Sequence, residues 1–428
     1  MIHEVGFGVK FIKDYNELKV LRFIKNNHEV SRAEISKQYN ISKAAVSDIV
    51  NRLITQRYVK EIGVGLSTKR GGRKPVLLKF NQRAGYVIGI EIRRSYANIA
   101  LIDLNAEVHK FETFNYTAGY SIECILDRLY LIIEEFLITD WVEDSQAIGI
   151  GVAVPGLIDY NTGCIKVSDT LINWIGFPIK ENIETKFSIP TVIENDVKAK
   201  ALSECLFGAG KDYDNLVNLW IGDGIGAGII IDGHLIRGIT ASAGEVGYDE
   251  LGFFIRDVKN FPLLYKNQKD FGDILSNKLL ISAASNALNN GQISKLERDQ
   301  LTIDSIVKAA ENDDPLANKL LTEFGDLLGI LCINLVNTLN MELLIISGKL
   351  VQNSDILIKY VTNKIHKDLL SVPAHAVKIV SAELKEKCGV LGAAGLILED
   401  LFYKDRINVI KYRDVFKQAS SYLEKEML

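Results

Sequence analysis

Residues 216–232 read LVNLWIGDGIGAGIIID, which is two runs of Val, Ile and Leu joined by a glycine-rich loop. Short apolar runs bounded by turn residues predict two β-strands here. Upstream, TVIEN (191–195) predicts a strand that leads directly into a helix beginning at Asp196. Downstream, MELLIISGKL (341–350) predicts another strand and turn. Strands that alternate with helical segments indicate an α/β body.

The same order of strand, hairpin and helix occurs twice, around residues 86–150 and 216–346. This repetition predicts two related lobes with a cleft between them. We place the first lobe at 81–200 and the second at 201–400, with a helix near 385–398 that packs back on the first lobe. The charged segment 401–428 is predicted to be a helical tail.

Residues 1–80 have the pattern of a separate winged helix-turn-helix module. Segment 14–27 carries apolar residues at helical spacing, and Ser31 with Glu34 forms the capping-box pattern that opens a second helix. Ser42 then caps an amphipathic third helix. Two short helices joined by a tight turn are typical of DNA-binding proteins. Two β-rich stretches follow, and the basic segment 66–74 between them reads as a wing.

The module is basic although the whole chain is acidic. Residues 1–80 contain 16 Lys and Arg against 7 Asp and Glu, whereas the full chain has a net charge of −4. A basic module on an acidic body predicts a polyanionic partner for the module alone. The start of the third helix is where base edges are read, and the wing would neutralise phosphates. The predicted DNA-binding residues are Ser42, Lys43, Ala44, Ser47, Asn51, Arg52, Lys69, Arg70, Arg73 and Lys74.

Composition excludes several other classes of protein. Of the 428 residues, 47% are hydrophobic and 24% are charged, which is an ordinary globular balance. The five cysteines are widely spaced without a Cys-x-x-Cys pair, which argues against a disulfide scaffold. The N-terminus lacks the apolar core of a signal peptide, and no apolar run suggests a membrane span. We therefore expect a cytoplasmic protein without membrane contact.

Several polar residues fall where pockets form, and each has two interpretations. Pro155-Gly156 follows a predicted strand and is an ordinary place for a pocket rim. Asn195-Asp196 lies at a strand-to-helix junction, where an Asp N-cap is expected on structural grounds alone, yet a carboxylate there can also accept a proton from a hydroxyl. Glu245 and Tyr248 could hydrogen-bond a polyol. The loop at Gly222 either makes a tight hairpin or presents backbone N–H groups to a phosphate.

The chain resembles the ROK family of repressors and sugar kinases, in particular its xylose-repressor type. The resemblance is carried by GGRKPVLLKF, IGIGVAVPGLID, IENDVKAKAL and IGDGIGAGIIIDGHLIRGITASAGEVGY. It implies a winged helix fused to an actin-like, ribonuclease H-like sugar-kinase body that is dimeric or tetrameric. The implied sugar-binding residues are Pro155, Gly156, Asn173, Asn195, Asp196, Glu245 and Tyr248. Asp196 matches the kinases' catalytic base, and Gly222, Asp223, Gly224 and Gly226 match a phosphate loop.

Departures from the kinase pattern indicate that catalysis is lost. Where the kinases have Asp-x-Gly-Gly-Thr, this chain has Glu91-Ile92-Arg93-Arg94-Ser95, and arginine fills the space that a phosphate chain needs. Asp223 replaces a Thr of the second phosphate loop. Tyr248 replaces the His of the family's zinc site, and residues 249–275 contain no Cys. We expect no catalytic residue, no cofactor and no metal, and we regard Asp196 and the glycine loop as vestigial.

The sequence thus predicts a transcriptional repressor whose partners are operator DNA and a sugar or sugar phosphate effector, acting as a homodimer or homotetramer. Two alternatives stay open. One is a sugar kinase with a fused regulatory winged helix, which depends on Asp196 and the glycine loop. The other is a repressor whose body binds a protein or a phosphorylated sugar, the latter through Arg93 and Arg94.

Overall fold

The computed structural model describes residues 15–65, 74–117, 120–140, 142, 145–160, 162–255 and 258–403. The predicted wing cations Lys69, Arg70 and Arg73 lie outside these residues, as does the predicted tail from residue 404 onward. The described chain forms a small winged-helix module followed by two α/β lobes.

The N-terminal module has the predicted winged-helix elements. They are α1 (residues 15–26), β1 (Val30–Ser31), α2 (Arg32–Tyr39), α3 (Lys43–Thr55), β2 (Val59–Val64) and β3 (Val76–Phe80). The capping box is confirmed, because Ser31 Oγ accepts the N–H of Glu34 at 3.3 Å and the Glu34 carboxylate accepts the N–H of Ser31 at 2.7 Å. Asn40 ends α2 in the left-handed conformation, and Ser42 Oγ caps α3 at 3.2 Å.

The first lobe is built on a five-stranded sheet with the strand order β10-β7-β4-β5-β6. Its elements are β4 (Gly85–Ile92), β5 (Tyr96–Asp103), β6 (Val108–Asn115), α4 (Ile122–Leu137), β7 (Gln146–Val154), β8 (Leu157–Asp159), β9 (Cys164–Val167), α5 (Ile179–Phe187) and β10 (Thr191–Asn195). β4 pairs antiparallel with β5 and parallel with β7. Helix α6 (Asp196–Phe207) then leads into the second lobe.

The second lobe repeats this topology, with the strand order β13-β12-β11-β14-β15. Its elements are β11 (Leu216–Ile221), β12 (Ile225–Ile231), β13 (His234–Leu235), α7 (Leu251–Phe254), α8 (Phe271–Ile274), α9 (Asn277–Asn289), α10 (Ile303–Glu311), α11 (Pro315–Leu339), β14 (Leu343–Gly348), α12 (Ile356–Asp368), α13 (Ser371–Ala376), β15 (Lys378–Ser381) and α14 (Cys388–Leu398). β11 is antiparallel to β12 and parallel to β14, as β4 is to β5 and β7. The duplicated lobes predicted from sequence are confirmed.

Helix α14 lies directly on the first-lobe sheet because glycines leave room for it. A Cβ at Gly89 would meet the carbonyl oxygen of Val390 at 2.1 Å, and one at Gly151 would meet that of Ala393 at 1.8 Å. On its other side α14 packs on α6, where a Cβ at Gly392 would meet the carbonyl oxygen of Ala199 at 2.2 Å. Backbone-to-backbone packing of this kind holds the sheet and both helices in one close arrangement.

The winged-helix module shares a hydrophobic core with the first lobe. Leu21 and Ile24 of α1 belong to the same buried cluster as Ile102 of the sheet and Ile397 of α14. Just after α14, Phe402 packs edge-to-face on Phe80 of β3, with ring centroids 5.6 Å apart. The module is therefore docked on the body by buried apolar contacts in addition to the chain connection.

One helix among the described residues, α11, is long and apolar enough to cross a membrane by length and composition. Sequence inspection had not suggested a span there. Many α11 side chains, including Leu320, Phe324 and Leu328, are fully buried within the second lobe. A helix buried in a protein core can have the same length and apolar composition as a membrane span, so these two properties are weak evidence for a span.

Candidate functional site

A cleft of about 340 Å³ opens between the lobes. The first lobe lines it with the turn after β7 and the β10–α6 junction, and the second lobe with the β11–β12 loop and the segment around Glu245. Six of the predicted sugar-binding residues lie on this lining: Pro155, Gly156, Asn195, Asp196, Glu245 and Tyr248. Their role as sugar ligands stays a prediction.

Asp196 is the centre of a buried ion-pair network. Its Oδ2 accepts a hydrogen bond from Arg93 Nη1 and another, at 3.1 Å, from Lys200 Nζ. Lys200 also pairs with Glu91 Oε1 at 2.6 Å, and its Nζ lies 4.5 Å from the centroid of the Trp220 ring. The side chains of Asp196 and Lys200 are both only 2% exposed. The carboxylate that would serve a kinase as its base is therefore committed to two cations.

The network fixes the charge states of its members. Burial opposes ionisation of Asp196, but Lys200 and Arg93 together hold its pKa below the usual range. Burial likewise opposes the charge on Lys200, while Asp196 and Glu91 raise its pKa above that of a free lysine. The pKa of Arg93 is raised by the same carboxylates against the effect of burial. All three groups are charged at neutral pH.

Asn195 is occupied by structural hydrogen bonds at the start of α6. Its Oδ1 accepts the backbone N–H groups of Val197 and Lys198 at 3.0 and 3.1 Å, so Asn195 is the N-cap of α6, whereas the sequence indicated Asp196 as the cap. Its Nδ2 donates to the carbonyl oxygen of Gly156 at 3.0 Å. Gly156 itself has φ +116°, and a Cβ there would meet the carbonyl oxygen of Val167 at 2.3 Å. Asn195 thus holds the β7 turn and the α6 junction together at the cleft.

Glu245 and Tyr248 bring the second lobe to the other wall. Glu245 Oε1 lies 3.8 Å from Nζ of the buried Lys198, and burial raises the pKa of Glu245 despite that cation. The Tyr248 hydroxyl donates to Asp169 of the first lobe at 3.2 Å, although the tyrosine is 65% exposed. The walls are also bridged by Arg237, whose Nε donates to buried Glu194 at 2.7 Å. These contacts hold the lobes together around the cleft.

Two residues that the sequence analysis placed at the cleft, Asn173 and Arg94, are not among the residues that line it. Asn173 is exposed on a short 3₁₀ helix beside the buried Trp174 and does not line the cleft, so its role as a sugar ligand stays a prediction. Arg94 is exposed and also absent from the lining, whereas Arg93 faces Asp196. Asp169, Thr170, Trp220 and Asp270 are among the lining residues that sequence reasoning missed.

The glycine loop between β11 and β12 forms a tight hairpin at the cleft. The N–H of Gly222 donates to the carbonyl oxygen of Gly224 at 2.8 Å, so this donor is used inside the turn. Asp223 is exposed at the tip, and it, Gly224 and Gly226 line the cleft. A carboxylate at the tip would repel a phosphate chain.

A second cavity of about 350 Å³ lies on the far side of the ion-pair network. It is lined by Glu91 and Lys200, by Ser347 and Gly348 at the end of β14, and by Cys388 at the start of α14. Trp220 lines both cavities. The network and this tryptophan therefore stand between the two cavities.

Helix α14 spans from the network to the winged helix. At its first turn a Cβ on Gly389 would lie 2.2 Å from the carboxyl carbon of Glu91, so the helix backbone touches the network. Beyond its last turn, the carbonyl oxygen of Phe402 accepts a hydrogen bond from Arg22 of α1. Helix α14 and the turn that follows it thus contact the cleft network at one end and the N-terminal module at the other.

The third helix presents a polar face to solvent. Ser42, Lys43, Ala44 and Asn51 are exposed and Ser47 is half-buried, while Val46, Ile49, Val50 and Leu53 fill the module's core. Arg52 is engaged by Glu17 of α1, with Nη2 2.7 Å from Oε2, so it is less available to DNA than the sequence suggested. Lys74 is exposed at the base of the wing.

A possible metal-ligand group lies away from the cleft. Among the described residues, Asp103, Glu107 and His109 could share an ion at the β5–β6 turn. The buried Asp103 already accepts the N–H groups of Asn105 and Glu107 at 2.8 and 2.9 Å and contacts His109. These hydrogen bonds stabilise the β5–β6 turn, and they explain why the three side chains lie close together without an ion.

Comparison with known proteins agrees with this layout. The sequence model of the ROK family matches residues 87–400. The chain belongs to the ROK family. A model of the MarR family matches residues 8–64, so this ROK protein carries a MarR-type winged helix in front of its actin-like body.

Similar ROK proteins include repressors and kinases. A xylose repressor from Caldicellulosiruptor bescii is 32% identical over 91% of this chain and 97% of its own length. A solved ROK family transcriptional regulator, a homologue of the E. coli MLC protein, is 26% identical to this chain and superposes with a TM-score of 0.76. The match covers 92% of this chain and 97% of the regulator. A ROK glucokinase from Streptomyces griseus, solved with glucose and AMPPNP, is 24% identical and superposes with a TM-score of 0.59. The match covers 73% of this chain and 99% of the glucokinase, which shares the fold of the body.

Proposed function

We propose that this ROK protein is a cytoplasmic transcriptional repressor whose inter-lobe cleft binds a sugar-class effector and thereby controls binding of operator DNA. The observation that carries the proposal is the docking of a winged helix on a kinase-like body through α14, whose first turn touches Glu91 of the cleft network. The similarity to repressors includes both the winged helix and the body, since the match covers 91% of this chain and 97% of the C. bescii xylose repressor.

In this proposal α3 enters the major groove. Ser42, Lys43, Ala44, Ser47 and Asn51 are the residues that reach DNA, and the cations around the wing, including Lys74, neutralise backbone phosphates. Arg52 would first have to leave Glu17. Two modules in a homodimer or homotetramer would read a palindromic operator. The division into 1–80, 81–200, 201–400 and 401–428 stays part of the proposal.

The cleft is the proposed effector site, with Pro155, Gly156, Asn195, Asp196, Glu245 and Tyr248 as candidate ligands. Effector binding must favour the arrangement of modules that does not fit the operator, since only a ligand with different affinities for two states shifts their balance. Contacts between the lobes, such as Arg237 with Glu194, are the ones that such a shift would rearrange.

Phosphotransfer is not proposed. A general base needs a carboxylate free to accept a hydroxyl proton, and Asp196 is held by Arg93 and Lys200 with a lowered pKa. Trp220 lines both cavities, and Lys200 lines the second one. We expect no ATP-dependent turnover of any hexose or pentose.

The alternative is a sugar kinase with a regulatory winged helix, which the glucokinase-like fold of the body favours. A coupled ADP-release assay on the full chain with a panel of hexoses and pentoses separates the two. Turnover that Asp196→Asn abolishes would establish the kinase. Absence of turnover, together with salt-sensitive binding to a duplex that the chain selects from a random pool, would establish the repressor.

A further inference from the structure

Arg32, the first residue of α2, joins three elements of the winged-helix module. Its Nη2 donates to Asn51 Oδ1 of α3 at 3.3 Å and to Glu61 Oε1 of β2 at 2.9 Å. The sequence analysis did not single out Arg32, because its two partners lie 19 and 29 residues further along the chain. The contact brings a cation to a side chain on the face of α3 that is proposed to meet DNA.

This contact determines which end of the Asn51 amide remains available. A guanidinium group has only donors, so the Asn51 atom that faces Arg32 is the carbonyl oxygen Oδ1 and not the NH₂ group. Asn51 is exposed, and its Nδ2 has no hydrogen-bond partner among the residues that the structure describes. The N–H donors of Asn51 are therefore left for DNA, whereas its acceptor is already in use.

The orientation of the amide changes which base Asn51 can recognise. An asparagine with a free amide pairs with adenine, accepting from N6 through Oδ1 and donating to N7 through Nδ2. Oδ1 keeps a second lone pair, but a base amino group that approached it would also approach the positive charge of Arg32. Guanine offers two neighbouring acceptors in the major groove, N7 and O6, and no donor. A donor-only Asn51 beside a cation therefore suits guanine better than adenine.

Glu61 holds the guanidinium of Arg32 from the side of β2. The side chains of Arg32 and Glu61 are 26% and 48% exposed. An ion pair exposed to this extent contributes little to folding stability. Replacing Arg32 should therefore change what Asn51 reads without unfolding the module.

We propose that Arg32 is a positioning residue that makes Asn51 a donor-only reader, and that Asn51 thereby selects guanine over adenine at one base pair of the operator. The proposal rests on the proposed function, in which α3 enters the major groove. It adds a base preference to a surface whose cations contact phosphates, because phosphate contacts carry no sequence information directly.

The test selects duplexes from a random pool with the full chain and then compares single-base variants of the selected operator by fluorescence anisotropy. Asn51→Ala identifies the base pair that Asn51 reads, because discrimination among bases is lost at that position. There the wild type should bind guanine at least about fivefold more tightly than adenine, the lower end of what one base contact contributes.

Variants of Arg32 test its positioning role. Arg32→Ala should abolish the preference for guanine or reverse it toward adenine, because the amide can then turn either end to the base. Arg32→Lys should keep guanine preferred, since lysine also has only donors. The preference is a ratio of two affinities, so partial unfolding of a variant lowers both affinities and leaves the ratio unchanged.

Arg128→Ala is the matched control for the loss of an arginine. Arg128 pairs with Glu112 in the first lobe at 3.1 Å, and this ion pair is also partly exposed. Neither residue belongs to the winged-helix module, so the variant should leave both the affinity for the operator and the base preference unchanged. A change in base preference for this control would overturn the proposal.

The outcomes separate this inference from the proposed function. If the wild type prefers adenine, or if Asn51→Ala relaxes no position, the inference is overturned while DNA binding stands. If Arg32→Ala weakens all duplexes by one factor and leaves the preference unchanged, Arg32 is a phosphate contact and the inference is again overturned. If the wild type shows no salt-sensitive binding to any duplex, the proposed function fails, and this inference fails with it.

Discussion

At the scale of single residues, the contacts of Asp196 are the basis of our proposal that this kinase-like body does not transfer phosphate. Its place at a strand-to-helix junction is readable from sequence, and so is Lys200 one helical turn later. Arg93 is 103 residues away in sequence, and only the fold brings it to the same carboxylate. Asn173 is adjacent in sequence to the buried Trp174 but is itself exposed, and the sequence alone does not reveal which of these two side chains is buried.

The network should make Lys200 important for stability. Lys200→Met leaves the buried carboxylates of Glu91 and Asp196 without their shared cation, and breaking a buried pair costs about 3–5 kcal/mol. Urea unfolding of the full chain measures this loss. Lys186→Met is the matched control, because Lys186 pairs with Glu134 on the surface and its loss should cost under about 1 kcal/mol. Equal losses in the two variants would contradict the network.

The lowered pKa of Asp196 predicts a dependence of stability on acid. The unfolded chain binds a proton at this side chain near pH 3.8, whereas the folded chain binds it at lower pH. Ionised Asp196 therefore makes its full contribution to the free energy of unfolding above about pH 3.8. This contribution is lost as the pH falls through the pKa that Asp196 has in the folded chain. Between pH values of about 5 and 2, wild type should lose more stability in urea titrations than Asp196→Asn does. Parallel curves would disprove the coupling.

At the scale of elements, local signals were predictable and close packing was not. Both capping residues, Ser31 and Ser42, act within three residues of themselves, so their helices could be placed from sequence. Asp270 caps α8 and lines the cleft together with Asp273, a placement that no local pattern reveals. The seat of α14 on Gly89 and Gly151 joins positions some 240 to 300 residues apart in the chain, and only the structure reveals it.

Two glycines of α14 should respond oppositely to alanine. The added methyl of Gly392→Ala meets the carbonyl oxygen of Ala199 at 2.2 Å and should destabilise by about 1–3 kcal/mol. Gly395→Ala meets its nearest neighbour at an ordinary 3.5 Å and should stabilise by up to about 1 kcal/mol, because alanine is the better helix former. Thermal unfolding compares the two. A similar shift in both would refute the packing described for this helix.

The exposed face of α3 should bind DNA through charge. Lys43→Ala should weaken binding to all duplexes by a similar factor and reduce the slope of log affinity against log salt by about 1. Fluorescence anisotropy across a salt series measures both quantities. Lys211→Ala, on an exposed turn of the second lobe, is the control and should change neither. If Lys43→Ala leaves the slope of log affinity against log salt unchanged, DNA does not bind at this face of α3.

At the scale of the whole molecule, the winged helix and the cleft are parts of one packed body. The contact of Arg22 with Phe402 joins residues 380 positions apart, and the shared core around Ile24 and Ile397 extends it. Sequence patterns predicted the modules and their order because each has its own local periodicity. They could not predict this docking, which depends on apolar faces meeting across the whole chain. It is the docking that makes regulation of DNA binding by the body physically reasonable.

The most direct test measures the affinity of the full chain for its selected operator with and without a saturating cleft ligand. The account predicts salt-sensitive binding that the ligand weakens by about 5- to 150-fold, the usual range of coupling between sites. Operator DNA must then weaken ligand binding by the same factor. Operator affinity that is unchanged at saturation, or that does not depend on salt, would contradict the account.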